Sequence, residues 1–108
     1  MNTINFSHNW NGKLGTHIFT TIRKYSKEKL DYYEKQVGEI FAVNLKGQKK
    51  VGGNLLSVRH EKKLIHIDPE LLMVDTGMPT LKKALEIFAL FGIKQDDPVI
   101  ILLVEGGD

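Results

Sequence analysis

Residues Val99 to Val104 read Val-Ile-Ile-Leu-Leu-Val, an unbroken apolar run that begins directly after Pro98. No other stretch restricts the fold as strongly. Successive side chains of a strand point to opposite faces, so a strand with no polar position has to be covered on both. A chain of 108 residues has material for one domain around one core, so residues 1–108 are read as a single domain whose other elements cover this strand. The run is too short to span a bilayer, and no membrane association is expected. The N-terminus, MNTINFSHNW, has neither the basic start nor the apolar stretch of a signal peptide, so a cytoplasmic location is expected.

What precedes the run supplies the cover. Thr16 to Arg23 alternates and is rich in β-branched residues, which predicts a strand with Ile18, Thr20 and Ile22 on one face and Phe19, Thr21 and Arg23 on the other. Ser26 is placed to cap a helix over Lys27 to Lys35, and Glu39 to Leu45 reads as a second strand, ending at a Lys46-Gly47-Gln48 turn. A further strand is expected over Asn54 to His60 and a short one over Leu64 to Ile67, with Gly52-Gly53 marking a bulge or bend. Asp68-Pro69-Glu70 opens a helix as a cap followed by proline. Pro79 opens another, whose apolar stripe is Leu81, Ala84, Leu85, Phe88 and Phe91, with Gly92 as the stop. The resulting order is β, α, β, β, β, α, α, β. It predicts an α+β fold, a small curved sheet or barrel with helices packed against it, and disfavours a doubly wound parallel sheet.

Several function classes are excluded early. With no cysteine there is no disulfide, thiolate zinc site or cysteine nucleophile. His8, His17, His60 and His66 lack the spacing of metal ligands, so neither a metal nor a cofactor is expected. Gly12-Lys13-Leu14 lacks the upstream glycine and following hydroxyl of a phosphate loop. Hydrophobic residues make up 42% and charged residues 26%, the balance of an ordinary globular domain.

Charge is less evenly spread. Net charge is +2, but Lys46, Lys49, Lys50, Arg59, Lys62 and Lys63 against Glu61 put +5 in one segment, leaving −3 for the remainder. Such a segment attracts phosphate groups, or else keeps an exposed hairpin soluble.

The chemistry concentrates in FSHNWNGKLGTHIFTTIRKY, residues 6–25. Thr21 shares a strand face with Arg23, placing a hydroxyl beside a fork of donors that suits an oxyanion, a phosphate or the carbonyl edge of a base; Thr20 is adjacent. Trp10, between Asn9 and Asn11 and just ahead of Lys13, could stack a base while the amides read its edge, or plug one end of the sheet. Asp75 and Thr76 precede the second predicted helix of the C-terminal half, where a helix dipole favours a carboxylate and capping alone also accounts for them.

Phe19-Thr20-Thr21-Ile22-Arg23, the spaced Val37-Gly38-Glu39, Asp75-Thr76-Gly77 ahead of Leu81-Lys82-Lys83, and the closing apolar strand resemble, in order and spacing over nearly the whole chain, the ASCH domain family of the PUA-like superfamily. The opening His8-Asn9-Trp10-Asn11 with Lys13-Leu14 looks like a subgroup of small stand-alone proteins. The resemblance implies a PUA-like β-barrel of about five or six strands with two or three helices packed beside it, and a cleft that takes RNA or a nucleotide-like ligand, lined by Trp10, Asn11, Lys13, Thr20, Thr21 and Arg23. One small-protein branch of the family hydrolyses the amide of acetylated cytidine with a lysine, a threonine and a glutamate. Its threonine corresponds to Thr21. Its lysine position holds Ile18 here, so Lys13 is the candidate in its place, and its glutamate position falls at Val74, next to Asp75. Three functions therefore stand: RNA or nucleotide binding, with the basic segment adding phosphate attraction; amide hydrolysis on a modified nucleoside by Thr21, Lys13 and Asp75; and a protein-interaction module using the basic hairpin or a Tyr32-Tyr33 surface.

Overall fold

The computed structural model describes residues 2–6, 18–45 and 48–106. Five strands and three α-helices follow in the order β1 (Asn2–Phe6), β2 (Ile18–Lys24), α1 (Lys27–Lys35), β3 (Ile40–Leu45), β4 (Gln48–Glu61), α2 (Pro69–Thr76), α3 (Leu81–Leu90) and β5 (Val99–Gly106). The fold is α+β. The strands form one sheet in the order β1-β3-β4-β5-β2, with β1 parallel to β3 and every other pairing antiparallel.

Among the described residues β1 and β2 are the sheet's two edges, so the sheet is open and the barrel expectation is corrected. A small barrel covers the inner face of its strands by curling around it. Here helices do that work on both faces. Val99 and Ile101 pack with Ile22, Leu64, Leu72, Ala84 and Phe88 beneath α2 and α3. Ile100, Leu102 and Val104 pack with Phe19 and Leu55 on the other face, against Leu30 and Tyr33 of α1. The apolar run of β5 is thus buried from both sides: Val99, Ile100, Leu102 and Val104 are fully enclosed.

Local signals explain most boundaries. Ser26 accepts a hydrogen bond from the Lys29 amide and starts α1, and Asp68 accepts one from the Glu70 amide with Pro69 at the first helical position of α2. Gly77, at φ 72°, ends α2: its amide and that of Met78 donate to the last carbonyls, a left-handed closure that glycine takes without strain. Thr80 rather than Pro79 caps α3, through its side-chain oxygen and the Lys83 amide. The α3 stripe holds at Leu81, Ala84, Leu85 and Phe88, but Phe91 follows the helix and is exposed.

Two expectations need correction, and β1 (Asn2–Phe6) is an added strand outside the elements read from the sequence. Leu64–His66 is a single 3-10 turn, not a strand: its amides bond to the carbonyls of residues 95 and 97, and Leu64 inserts under α2 and α3. β4 runs unbroken from Gln48 to Glu61 instead of starting at Asn54, passing two register shifts, one at Gly52 opposite Phe41/Ala42 and one at Leu56. The Gly52-Gly53 bulge anticipated from sequence is the first of these, with Gly53 at φ 109°.

Candidate functional site

β2 is an edge strand hydrogen-bonded only to β5 in the described sheet, and its alternation divides the polar residues between two faces. Thr21 and Arg23 lie opposite Leu102 and Ile100, on the α1 face. Thr20 lies opposite Leu103, on the α2 face with Ile22. The two neighbouring hydroxyls therefore have different partners. The Arg23 Nε donates to Thr21 Oγ1 at 3.2 Å, and Thr20 Oγ1 donates to Asp75 Oδ1 at 2.9 Å.

The carboxylate belongs to the last turn of α2, not to the approach to α3. The helix dipole therefore acts on Asp75 in the opposite sense to the one expected from sequence. A helix C-terminus carries partial negative charge, so Asp75 sits where its own helix disfavours it, typically by about 0.3–1 kcal/mol. It is also 5% exposed, with Thr76 beside it at 2% and Thr21 at 3%; among the described residues these are the buried polar side chains. Thr76 is satisfied internally, its hydroxyl donating to the Leu72 carbonyl at 2.9 Å. Asp75 instead reaches out of its helix to β2.

Arg23 works against burial as well. Withdrawal from solvent pulls its guanidinium below the ordinary pKa, while Tyr33 and Asp75 act in the opposite direction. Tyr33 lies on the α1 face and Asp75 on the other, so the Arg23 cation at the sheet edge feels groups from both layers. What results is a polar cluster wrapped around the edge of β2: two hydroxyls, a guanidinium and a carboxylate, backed by apolar core on either side. Such a set can donate to an anion or a carbonyl through the partly exposed Arg23, with the buried Asp75 tuning the charge of that edge from within.

Trp10, Asn11 and Lys13 lie outside the described residues, as does Lys46. Lys49 and Lys50 pair with Asn44 and Val43 at the hairpin end of β4, whereas Arg59 is opposite Ile101 near its other end. The nine steps from Lys50 to Arg59 span about 30 Å at strand rise, so the basic segment is drawn out along one strand instead of gathered in one patch. Arg59, Lys62 and Lys63 are exposed; Lys63 makes a surface ion pair with Asp96 at 3.7 Å, a contact worth little in water. Tyr33 packs on the core while Tyr32 stands edge-on to it and exposed, so the two do not form one exposed surface. An open groove of about 630 Å³ along α3, floored by Leu81, Leu85, Ala89 and Ile93, has no lining residue from β2 or α2.

Sequence reading missed two features. The Thr20–Asp75 bond joins residues 55 positions apart and has no local signature. A stacked pair, Tyr25 on His60, stands on the α1 face, ring centroids 4.3 Å apart and 13° from parallel, with His60 in the register row of Arg23.

No family model, no curated protein and no solved structure matches this chain. No helix among the described residues is long and apolar enough to cross a membrane.

Proposed function

We propose that the chain binds RNA or a nucleotide at the β2 edge, with Arg23, oriented by the buried Thr21 hydroxyl, facing phosphate or a base carbonyl, and the buried Asp75, held by Thr20, fixing the charge of that edge from behind. The motif order that resembles the ASCH family supports this reading, and one observation carries it. A buried carboxylate at the C-terminus of its own helix, tied across to an edge strand near a partly exposed guanidinium, is an arrangement that folding alone disfavours. Local rules are broken where function requires it. Arg59 and Lys62, exposed at the same end of the sheet, supply phosphate attraction that is independent of sequence and weakens with salt. The test is fluorescence anisotropy of a labelled single-stranded RNA across a salt series. Binding at low salt that is lost in Arg23→Met supports the proposal; no binding at any salt overturns it.

The hydroxyl–carboxylate contact also favours a second reading, amide hydrolysis on a modified nucleoside such as acetylated cytidine. There the threonine oxygen attacks the amide carbonyl as a base takes its proton, and Arg23 stabilises the developing oxyanion. The C–N bond breaks as that proton passes to the departing amine, and water then cleaves the acyl-threonine ester to release acetate and restore the hydroxyl. The family motif assigns the threonine role to Thr21, whereas the hydroxyl that meets Asp75 is that of Thr20. Deacetylation by the wild type, compared in Thr20→Val and Thr21→Val, distinguishes the two. Absence of product with the wild type removes the reading.

A further inference from the structure

The Tyr25–His60 stack takes no part in the cluster just described, yet it shares a sheet face and a register row with it. Arg23 is opposite Ile100, and Ile100 is opposite His60, so the three lie side by side across β2, β5 and β4. Two interstrand steps separate Arg23 from His60, about 10 Å between backbones. Tyr25 directly follows β2; its amide donates to the Pro98 carbonyl at 3.0 Å, and its ring packs against the core of the α1 face. That fixes the phenol as a floor for the imidazole. His60 is exposed while Tyr25 stacks on one face of its ring.

An exposed aromatic ring held flat by a partner, with a cation near it, is what an unpaired base stacks on. Lys62, two residues after His60, is exposed, whereas Lys63 pairs with Asp96 and Lys24, opposite Val99 on the other face of the sheet, pairs with Asp97. The spacing to Arg23 is comparable to one or two nucleotides of an extended single strand. A base in a duplex presents no free face to such a platform.

We infer that the outer face of His60, backed by Tyr25, is a stacking platform for an unpaired base of single-stranded RNA that also engages the β2 edge. The inference rests on the RNA-binding reading and narrows it to single strands. It is tested by anisotropy with a labelled seven-nucleotide oligouridine and with a hairpin duplex of equal charge, using wild type, His60→Ala and His60→Phe. Stacking of one base is worth about 1–3 kcal/mol, so His60→Ala weakens oligouridine binding by about tenfold. His60→Phe keeps wild-type affinity, because the aromatic face and not the imidazole nitrogens does the work. The dependence on salt stays parallel in all three, since no phosphate contact is removed, and duplex binding is weaker than oligouridine binding throughout. Circular dichroism melting of His60→Ala confirms that the exposed substitution leaves the fold intact. Unchanged oligouridine affinity in His60→Ala, or equal loss with the duplex, overturns the platform while leaving RNA binding at the β2 edge standing. Failure of the wild type to bind either probe overturns the RNA reading itself.

Discussion

Thr20→Val replaces one hydroxyl by a methyl of nearly the same size, so its effect isolates the bond to Asp75. The bond is 2.9 Å long, partly buried, and made to a carboxylate that is 5% exposed. Hydrogen bonds to charged groups contribute about 1.5–3 kcal/mol, and a buried carboxylate that loses a donor keeps its desolvation penalty. The unfavourable dipole of α2 adds to that penalty instead of offsetting it. The expected destabilisation is therefore about 2 kcal/mol, which lowers Tm by about 8 °C for a domain of this size. Chemical denaturation of wild type, Thr20→Val, Asp75→Ala and the double variant closes a cycle, and the coupling between the two sites is expected at about 2 kcal/mol. Thr76→Val is the internal control: it breaks a neutral bond within the helix and should lower stability by about 1 kcal/mol, with no coupling to Thr20. A Thr20–Asp75 coupling below about 0.5 kcal/mol, the level of independent sites, would refute the argument that β2 holds this carboxylate in place.

Arg23→Met should weaken RNA binding by at least about tenfold and reduce the slope of log affinity against log salt by about 0.7, the share of one single-strand phosphate; an unchanged slope would mean Arg23 does not meet a phosphate. Burial depresses the Arg23 pKa, so the folded state releases that proton first and the shift affects stability only at strongly alkaline pH. Arg23-dependent binding is therefore flat between about pH 6 and about pH 9, checked by the wild-type to Arg23→Met affinity ratio across that range. Leu72→Ala, at a fully enclosed position beneath the sheet, should destabilise by about 3–5 kcal/mol through lost burial and the cavity left behind. Gly77→Ala places a Cβ at a left-handed φ of 72° and should lose about 1 kcal/mol, read as a lower midpoint with an unchanged denaturant slope.

Sequence alone determined the features whose physics is local. Ser26 and Asp68 announce the starts of α1 and α2 because a cap needs only an oxygen and an amide two or three residues on. The alternation around Thr20 and Thr21 separates their faces because a strand repeats every two residues. The all-apolar β5 requires two covers because neither face has a polar position. Tertiary structure decided the rest. Whether the sheet closes or stays open depends on what covers its second face, and only the packing of α1 opposite α2 and α3 answers that. The assignment of Asp75 to the end of α2, and its bond to Thr20 instead of Thr21, depends on how a helix docks against an edge strand 55 residues away, where no spacing rule reaches. The stack of Tyr25 on His60 likewise requires β2 and β4 to flank β5 in one register. Local propensity sets elements and faces; only packing, which fixes the distances between faces, brings hydroxyl, carboxylate and guanidinium to one edge of the sheet and sets the Tyr25–His60 pair beside them.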